Sequence, residues 1–425
     1  MDQSADGSDA APGRTSKTSS GVRQGNTRRV LEALRLNGPS SQAALARSTQ
    51  LSPATVNSIV KTLRQQGVAQ IRPVNGRESL VALVSSHGAI AAVQVNVASL
   101  RVALFDFTAQ ARFDTALTFT VDTEKEKGER GGGDPDLVVD TVRSLAAQAG
   151  LRTEDLAGVA VGMQAPLARA TGAVTSWARR QLPAWRDVVV AETLQEALGV
   201  PVHAENDANL AALAEWTWGA GQGAADFLYV MCSEGIGGGL VIDGRIYRGG
   251  DGLAGEIGHL VLQPDGPVCF CGSRGCLTAF VSEHSILLAL KESGHALTSL
   301  REVIDHARHG DPACRRVLYE AGRHLGRAFA NTAKLMAPSV VAIGGVLREA
   351  GPLLFDSLVS SVEVQSLKAV SPSIRFLPAV LGEDSVLFGG LAMVLTETGR
   401  GASALPAWAR LHQTIRVPNG RARNH

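Results

Sequence analysis

No stretch of this 425-residue chain approaches the roughly 20 uninterrupted apolar residues that a membrane helix requires, and the opening MDQSADGSDAAPGRTSKTSSG lacks the apolar centre of an export signal. These absences predict a cytoplasmic protein with no membrane partner. Cysteine is scarce too, five in all, yet Cys269, Cys271 and Cys276 fall within eight residues. In a large protein of a reducing compartment, that crowding points to metal rather than disulfides. Neither sign of charge dominates, since the formal net charge is +1. The balance conceals an asymmetry: residues 1–84 hold 11 Lys and Arg against 5 Asp and Glu, and the remainder 30 against 35. Only the basic end suits a polyanionic partner.

The length calls for two or three domains. Residues 1–24 are rich in Ser, Gly, Asp and Ala without apolar periodicity and read as a disordered arm. Over 25–84 the apolar positions follow a helical period three times and then alternate in IRPVNGRESLVAL, which predicts three helices and a hairpin. Over 85–402, strand-like runs (90–107, 156–161, 227–231, 239–242 and 340–343) are interspersed with helical patterns (137–149, 185–198, 208–218, 284–291, 312–337 and 352–364). That mixture argues for an α/β body. The charged, Gly-rich segment 123–136 reads as a mobile surface loop, and 403–425 as a solvated tail.

Within the basic end, PSSQAALARSTQLSPATVNSIVKTLRQQGV predicts a helix, a tight turn and a second helix. Ser52 caps that second helix, Pro53 fits its first turn, and Gly67 sits where it stops. Val56, Ile59, Val60 and Leu63 recur at helical spacing and are expected to pack on Leu34, Leu45 and Leu51. Ala54, Thr55, Asn57, Ser58 and Lys61 then face outward. Short polar side chains near a helix N-terminus suit the major groove, where Asn reads adenine. Arg28, Arg29, Arg47, Lys61, Arg64 and Arg72 are candidate phosphate contacts, and Arg77 at the hairpin tip can take a phosphate or enter the minor groove. The expected DNA-reading set is Arg47, Ser52, Ala54, Thr55, Asn57, Ser58, Lys61 and Arg77, with double-stranded operator DNA as partner. The alternative, a three-helix protein-interaction module, leaves the basic excess unexplained.

In GEIGHLVLQPDGPVCFCGSRGC, the imidazole of His259 joins the thiols of Cys269, Cys271 and Cys276. This soft nitrogen and sulfur set prefers Zn²⁺ in a closed tetrahedral, structural site. Gly272 and Gly275 flank the turn that returns Cys276 beside Cys271. Cys232 and Cys314, isolated elsewhere, read as ordinary core residues.

Taken together, the run from GEIGH through CFCGSRGC, ENDAN at 205–209 and IGG within VVAIGGVLREAGPLL resemble the ROK family of bacterial repressors and sugar kinases, over nearly the whole chain. The resemblance implies an actin-like, ribonuclease H-like two-lobed α/β body preceded by an all-α winged helix-turn-helix. It implies that Asn206 and Asp207 bind sugar hydroxyls, with the Asp serving as general base in the family's kinases. Glu256 and His259 match two further sugar contacts, His259 also holding zinc. Asn206 and Asp207 can also form a helix N-cap before Ala208, a second reading that is compatible with the first.

Three departures from the family pattern separate regulator from kinase. Where its kinases carry DxGGT, this chain has Gln94, Asn96, Val97 and Ala98 in QVNVASLRVALFD, without the glycines that admit phosphate or the magnesium-organising carboxylate. The second phosphate loop, GTGIGGG in the family, reads SEGIGGG, so Glu234 sets a carboxylate against the nucleotide's own charge. Thr278 replaces the acidic residue of GCLE, and Ala165 stands where a Gly is frequent. The expectation is a repressor of carbohydrate uptake or catabolism genes with no catalytic residues, acting as a homodimer or homotetramer released by a sugar or sugar derivative. Its rivals are an ATP-dependent sugar kinase with an appended DNA-binding domain, and a regulator triggered by a protein partner.

Overall fold

A computed structural model describes residues 26–27, 29–30, 33–34, 39–65, 69–75, 78–83, 89–107, 109–119, 133–175, 181–366, 374–399, 405–410 and 412–414. The expected arm over 1–24, most of the loop over 123–136, and Arg28, Gly67 and Arg77 lie outside the described residues. The chain divides into two compact units, 1–86 and 87–425.

In the first unit, helical residues between 26 and 34 precede α1 (Gln42–Thr49) and α2 (Pro53–Gln65). Gln50 adopts φ 55°, turning the chain between them. Strands β1 (Ala69–Asn75) and β2 (Glu78–Leu83) form an antiparallel hairpin, and Ser40 adds a bridge to Val81. The expected all-α character thus holds for the helical part, and the wing is β, as IRPVNGRESLVAL foretold. Val30, Leu34, Leu45, Val56, Ile59, Val60 and Leu63 are buried together, with Leu51 packed against them.

The second unit repeats one sheet topology. The first lobe holds β3 (Ala89–Val95), β4 (Ser99–Asp106), β5 (Ala111–Thr118), β6 (Leu156–Met163) and β7 (Val202–Asn206) in the order β5-β4-β3-β6-β7. Helices α3 (Pro135–Gln148) and α4 (Val190–Leu198) belong to it, and their buried residues share its core. The second lobe holds β8 (Asp226–Cys232), β9 (Ile236–Ile242), β10 (Arg245–Ile246), β11 (Val340–Gly344) and β12 (Arg375–Pro378) in the order β10-β9-β8-β11-β12. In each, three antiparallel strands are followed by two parallel ones. Helices α6 (Glu283–Glu292), α7 (Leu300–Arg308), α8 (Pro312–Met336) and α9 (Pro352–Gln365) build the second lobe's core.

Two further helices, α5 (Asp207–Trp218) and α10 (Ser385–Glu397), lie between the sheets. Leu391 and Trp218 pack toward β3 and β6, whereas Leu210 and Met393 pack toward β8 and β11. Their own approach is close enough that a Cβ on Gly389 would stand 2.0 Å from the Leu210 carbonyl oxygen.

Several boundaries differ from the sequence reading, each for a local reason. The run 90–107 is two strands, because Asn96 closes a turn with its N–H to the Ser99 carbonyl (2.8 Å) and its Nδ2 to Ser99 Oγ (2.9 Å). The helix placed from Trp185 starts at Val190, since Pro183–Trp185 is a separate turn and Asp187 takes φ 61°. Of the segment 123–136 expected as a mobile loop, Asp134 caps α3 with its carboxylate, and Pro135 and Asp136 open that helix. The expected solvated tail is corrected most. Residues Ala407–Arg410 form a turn with Ala409 buried, and β13 (His412–Thr414) pairs in parallel with β5 at the sheet edge. Arg112, 1% exposed, requires this: its guanidinium donates to the Ala409 carbonyl (3.2 Å), Asp384 (2.8 Å) and Asp114 (2.6 Å) between the rings of Phe105 and Phe388.

Candidate functional site

Residues 257–277 fold around four donor atoms. His259 ends a turn (Ile257–His259) laid flat on β9, since a Cβ on Gly258 would stand 2.1 Å from the Ile236 carbonyl oxygen. The chain then reverses through bridges from Val261 to Cys276 and from Val268 to Arg274. Gly275 is required there twice: its φ is 64°, and a Cβ would lie 1.6 Å from the Gln263 carbonyl oxygen. The donor atoms of His259, Cys269, Cys271 and Cys276 consequently lie within 4.8 Å of one another. Cys271 and Cys276 Sγ are 3.8 Å apart, and Cys269 Sγ is 3.6 Å from His259 Nδ1. A tetrahedral ion about 2.3 Å from sulfur and about 2.0 Å from nitrogen sets edges of about 3.8 and 3.5 Å. The cluster therefore fits a metal ion. Because Nδ1 faces the sulfurs, His259 turns Nε2 toward Glu256, 4.0 Å away.

The carboxylates of the site come from two elements. Asn206 ends β7 and caps α5, its Oδ1 accepting the Asn209 N–H at 3.1 Å, so the capping reading of the motif is correct. Its Nδ2 donates to Asp207 Oδ1 (3.2 Å), which also accepts the Ala208 N–H (2.7 Å). Asp207 is buried, and desolvation raises its carboxyl to about 7 against the pull of those hydrogen bonds. Glu256, half-buried, is likewise pushed up to about 7, by burial first and by Asp207 second. Two carboxyls poised near neutrality beside an imidazole can each donate or accept toward a hydroxyl.

Glu205 had no separate task in the sequence reading. It is buried, and Oε1 accepts from Asn206 N–H (2.9 Å) and Asn209 Nδ2 (2.9 Å) while Oε2 accepts from Arg248 Nε (2.5 Å). A carboxylate next to the end of a short strand, in the sequence VHAEN, was the only available signal. Thr278, in place of the family's carboxylate, is also buried; its hydroxyl donates to the Gly258 carbonyl (2.9 Å) and so braces the turn between Glu256 and His259.

In the segment 94–98 the polar groups bond to the protein's own side chains. Gln94 donates to Asn96 Oδ1 (3.2 Å), and the Val97 N–H donates to Gln164 Oε1 (2.8 Å). Glu234 is exposed in the turn between β8 and β9. Ala165 is buried.

On the first unit, Ser52 accepts the Thr55 N–H (3.1 Å) and shares a hydroxyl hydrogen bond with Thr55 (2.8 Å). Arg47, Ser52, Ala54, Asn57, Ser58, Lys61 and Arg64 are exposed, and Thr55 is half-buried. Apolar residues of α2 thus face the core, leaving a polar face with two cations.

Comparison with known proteins gives these features a common origin. The sequence profile described as the ROK family matches residues 119–397. The chain belongs to the ROK family. A second profile, winged helix-turn-helix DNA-binding, matches 23–70. Among relatives of this ROK protein, a xylose repressor of Caldicellulosiruptor bescii is 25% identical over 395 residues, covering 88% of this chain and 96% of its own. The DNA-binding transcriptional dual regulator NagC of Escherichia coli is 25% identical over 387 residues, covering 88% and 93%. A glucokinase of Halalkalibacterium halodurans is 36% identical, over 48% of this chain and 67% of its own. A solved ROK transcriptional regulator, a homologue of the E. coli MLC protein, superposes with TM-score 0.69 at 23% identity over 90% of this chain and 98% of its own, a likeness of fold. This ROK chain is thus a DNA-binding regulator in its domain content, with kinases related to its body. No described helix is long and apolar enough to cross a membrane.

Proposed function

We propose that this chain is a transcriptional repressor of carbohydrate uptake or catabolism genes, released from double-stranded operator DNA by a sugar or sugar derivative held near Asn206, Asp207, Glu256 and His259. One observation supports the reading: the Val97 N–H, in the segment that resembles a phosphate loop, is taken by Gln164, while Asn206, Asp207, Glu256 and His259, which the family resemblance assigns to sugar hydroxyls, are all present. Zinc is the ion proposed for the cluster; His259, Cys269, Cys271 and Cys276 would hold it, and it would supply a fixed positive charge there. Ligation through Nδ1 would leave the His259 proton on Nε2, the atom nearer Glu256. Family-like assembly as a homodimer or homotetramer would place two α2 helices on half-sites about 10 base pairs, or a multiple, apart. Moving the protein from mostly bound to mostly released requires an effector preference of about 5.5 kcal/mol. Several hydroxyl hydrogen bonds, each worth about 1 kcal/mol net, suffice.

The test is operator release, followed by fluorescence anisotropy, with D-xylose, N-acetyl-D-glucosamine and D-glucose, the sugars that appear in the relatives' names, and with oligosaccharides. At least one is expected to weaken binding by tenfold or more; operator affinity indifferent to the whole panel would overturn the reading. Purified protein with Mg·ATP and the same sugars is expected to yield no phosphorylated sugar.

The DNA-reading surface is tested separately. Asn57→Ala is expected to cost about 1–3 kcal/mol on the cognate operator and to relax base preference. Lys61→Ala should weaken all sequences alike and reduce the slope of log affinity against log salt by about 1. Equal losses on cognate and scrambled DNA for Asn57→Ala would remove it from base reading.

A further inference from the structure

Arg248 and the loop it opens have been given no function so far. Residues 248–256 leave β10 of the second lobe and end at Glu256, yet they touch both lobes. The Glu256 end is seated on the second lobe, because Gly255 (φ 92°) and Gly238 abut so closely that a Cβ on Gly255 would stand 2.2 Å from the Gly238 carbonyl oxygen. The opposite end rests on the first lobe: Arg169 donates from Nη1 to the Gly249 carbonyl (2.9 Å) and from its backbone N–H to the Asp251 carbonyl (3.3 Å). Gly252 (φ 85°) lies against Leu167, with no room for a side chain. Between these contacts Arg248, 42% exposed, pairs with Glu205, whose side chain is 6% exposed.

We propose that Arg248 is a positioning residue for the effector site, acting through Glu205, so that contact between this loop and the first lobe sets the placement of Asn206 and Asp207. Glu205 is the intermediary because its two oxygens divide the work: Oε2 is held by Arg248, and Oε1 holds the Asn206 N–H and the Asn209 side chain. Burying a carboxylate oxygen without a hydrogen-bond donor is costly. Loss of the guanidinium would leave Oε2 bare, rotate the group, and release the Asn206 backbone that carries the cap and the side chain beside Asp207. The ligand side of this inference rests on the proposed effector reading; the placement side does not.

The experiment uses the full chain as wild type, Arg248→Gln, Arg248→Lys, Glu205→Gln and the Arg248→Gln/Glu205→Gln double variant, with zinc content and far-UV circular dichroism as fold controls. Without ligand, hydrogen exchange in peptides spanning 203–210 is expected to rise about tenfold in Arg248→Gln, to return to within about threefold of wild type in Arg248→Lys, and to change less than about twofold when Arg248→Gln is added to Glu205→Gln. Titrated with D-xylose, N-acetyl-D-glucosamine or D-glucose, whichever the wild type binds, affinity should follow the same order. Unchanged exchange over 203–210 in Arg248→Gln, or an undiminished effect in the Glu205→Gln background, overturns the proposal. If the wild type binds none of the sugars, the effector reading and its ligand side fall, while exchange still decides whether Arg248 places Asn206.

Discussion

Cys276→Ser should leave the protein with little bound zinc and lower its Tm by about 4 °C, the shift that a loss of roughly 3 kcal/mol produces in a unit of about 340 residues. A neutral serine hydroxyl is a poor ligand, and burial already pushes the Cys276 thiol up to about 12, so the ion's attraction is what draws the protons off this cluster. Ile257, Leu262 and Leu277 anchor the ends of the segment 257–277 in the core, and backbone hydrogen bonds cross it, but Leu260, Val261, Val268 and Phe270 are exposed, so apolar burial around the thiols themselves is small. Metal analysis by mass spectrometry and a thermal melt check both halves. Stoichiometric zinc in the variant, or an unshifted melt, would remove the cluster from the list of supports. Because the same ion would orient His259, the saccharide that releases wild-type protein should fail to release Cys276→Ser.

The second large effect concerns Asp207, where function opposes stability. Its carboxyl is raised by burial to about 7, against an ordinary value of 3.8. Between those values the folded protein binds more protons than the unfolded chain, so stability falls as pH rises from about 4 to 7 and stays lower above it. Asp207→Asn keeps an oxygen for the Ala208 N–H and never ionises. It should therefore be more stable than wild type at pH 8, by on the order of 2–4 kcal/mol, and about equal to it at pH 4. Urea unfolding at the two pH values measures this directly. The same variant should lose effector response, because a hydrogen bond to a charged or donating carboxyl is worth about 1.5–3 kcal/mol. A variant that gains no stability at pH 8 would mean that Asp207 ionises freely in the fold.

What could be read from the sequence was what depends on neighbours in the chain. Ser52 before Pro53 and the spacing of Val56, Ile59, Val60 and Leu63 specify α2 locally, and the helix lies as they require. The cysteine cluster is equally local, since its four donors fall within 18 residues. Elements with no alternation stayed hidden. Helix α10 is buried on every side from Ser385 to Leu395 and has no polar stripe to give a period. Charges with distant partners were hidden for a different reason. Glu215 is wholly buried in α5, and its carboxylate accepts the Val380 (2.9 Å), Leu381 (2.7 Å) and Ala220 (2.9 Å) N–H groups. Nothing near it in sequence announces the two backbone N–H donors supplied by residues 380 and 381. Arg112 and Arg248 are alike in this, and each looks like a solvated surface cation until the chain is closed.

The short strand at 412–414 has a consequence for handling the protein. It covers the outer margin of β5, whose unmet peptide groups would otherwise offer a template for another polypeptide. Ending the chain at residue 404 would bare that rung and also deprive the Arg112 guanidinium of the Ala409 oxygen. Shortened preparations should therefore precipitate or self-associate through their sheets, and the terminal segment serves as a guard that keeps each copy's first lobe from being extended by its neighbours.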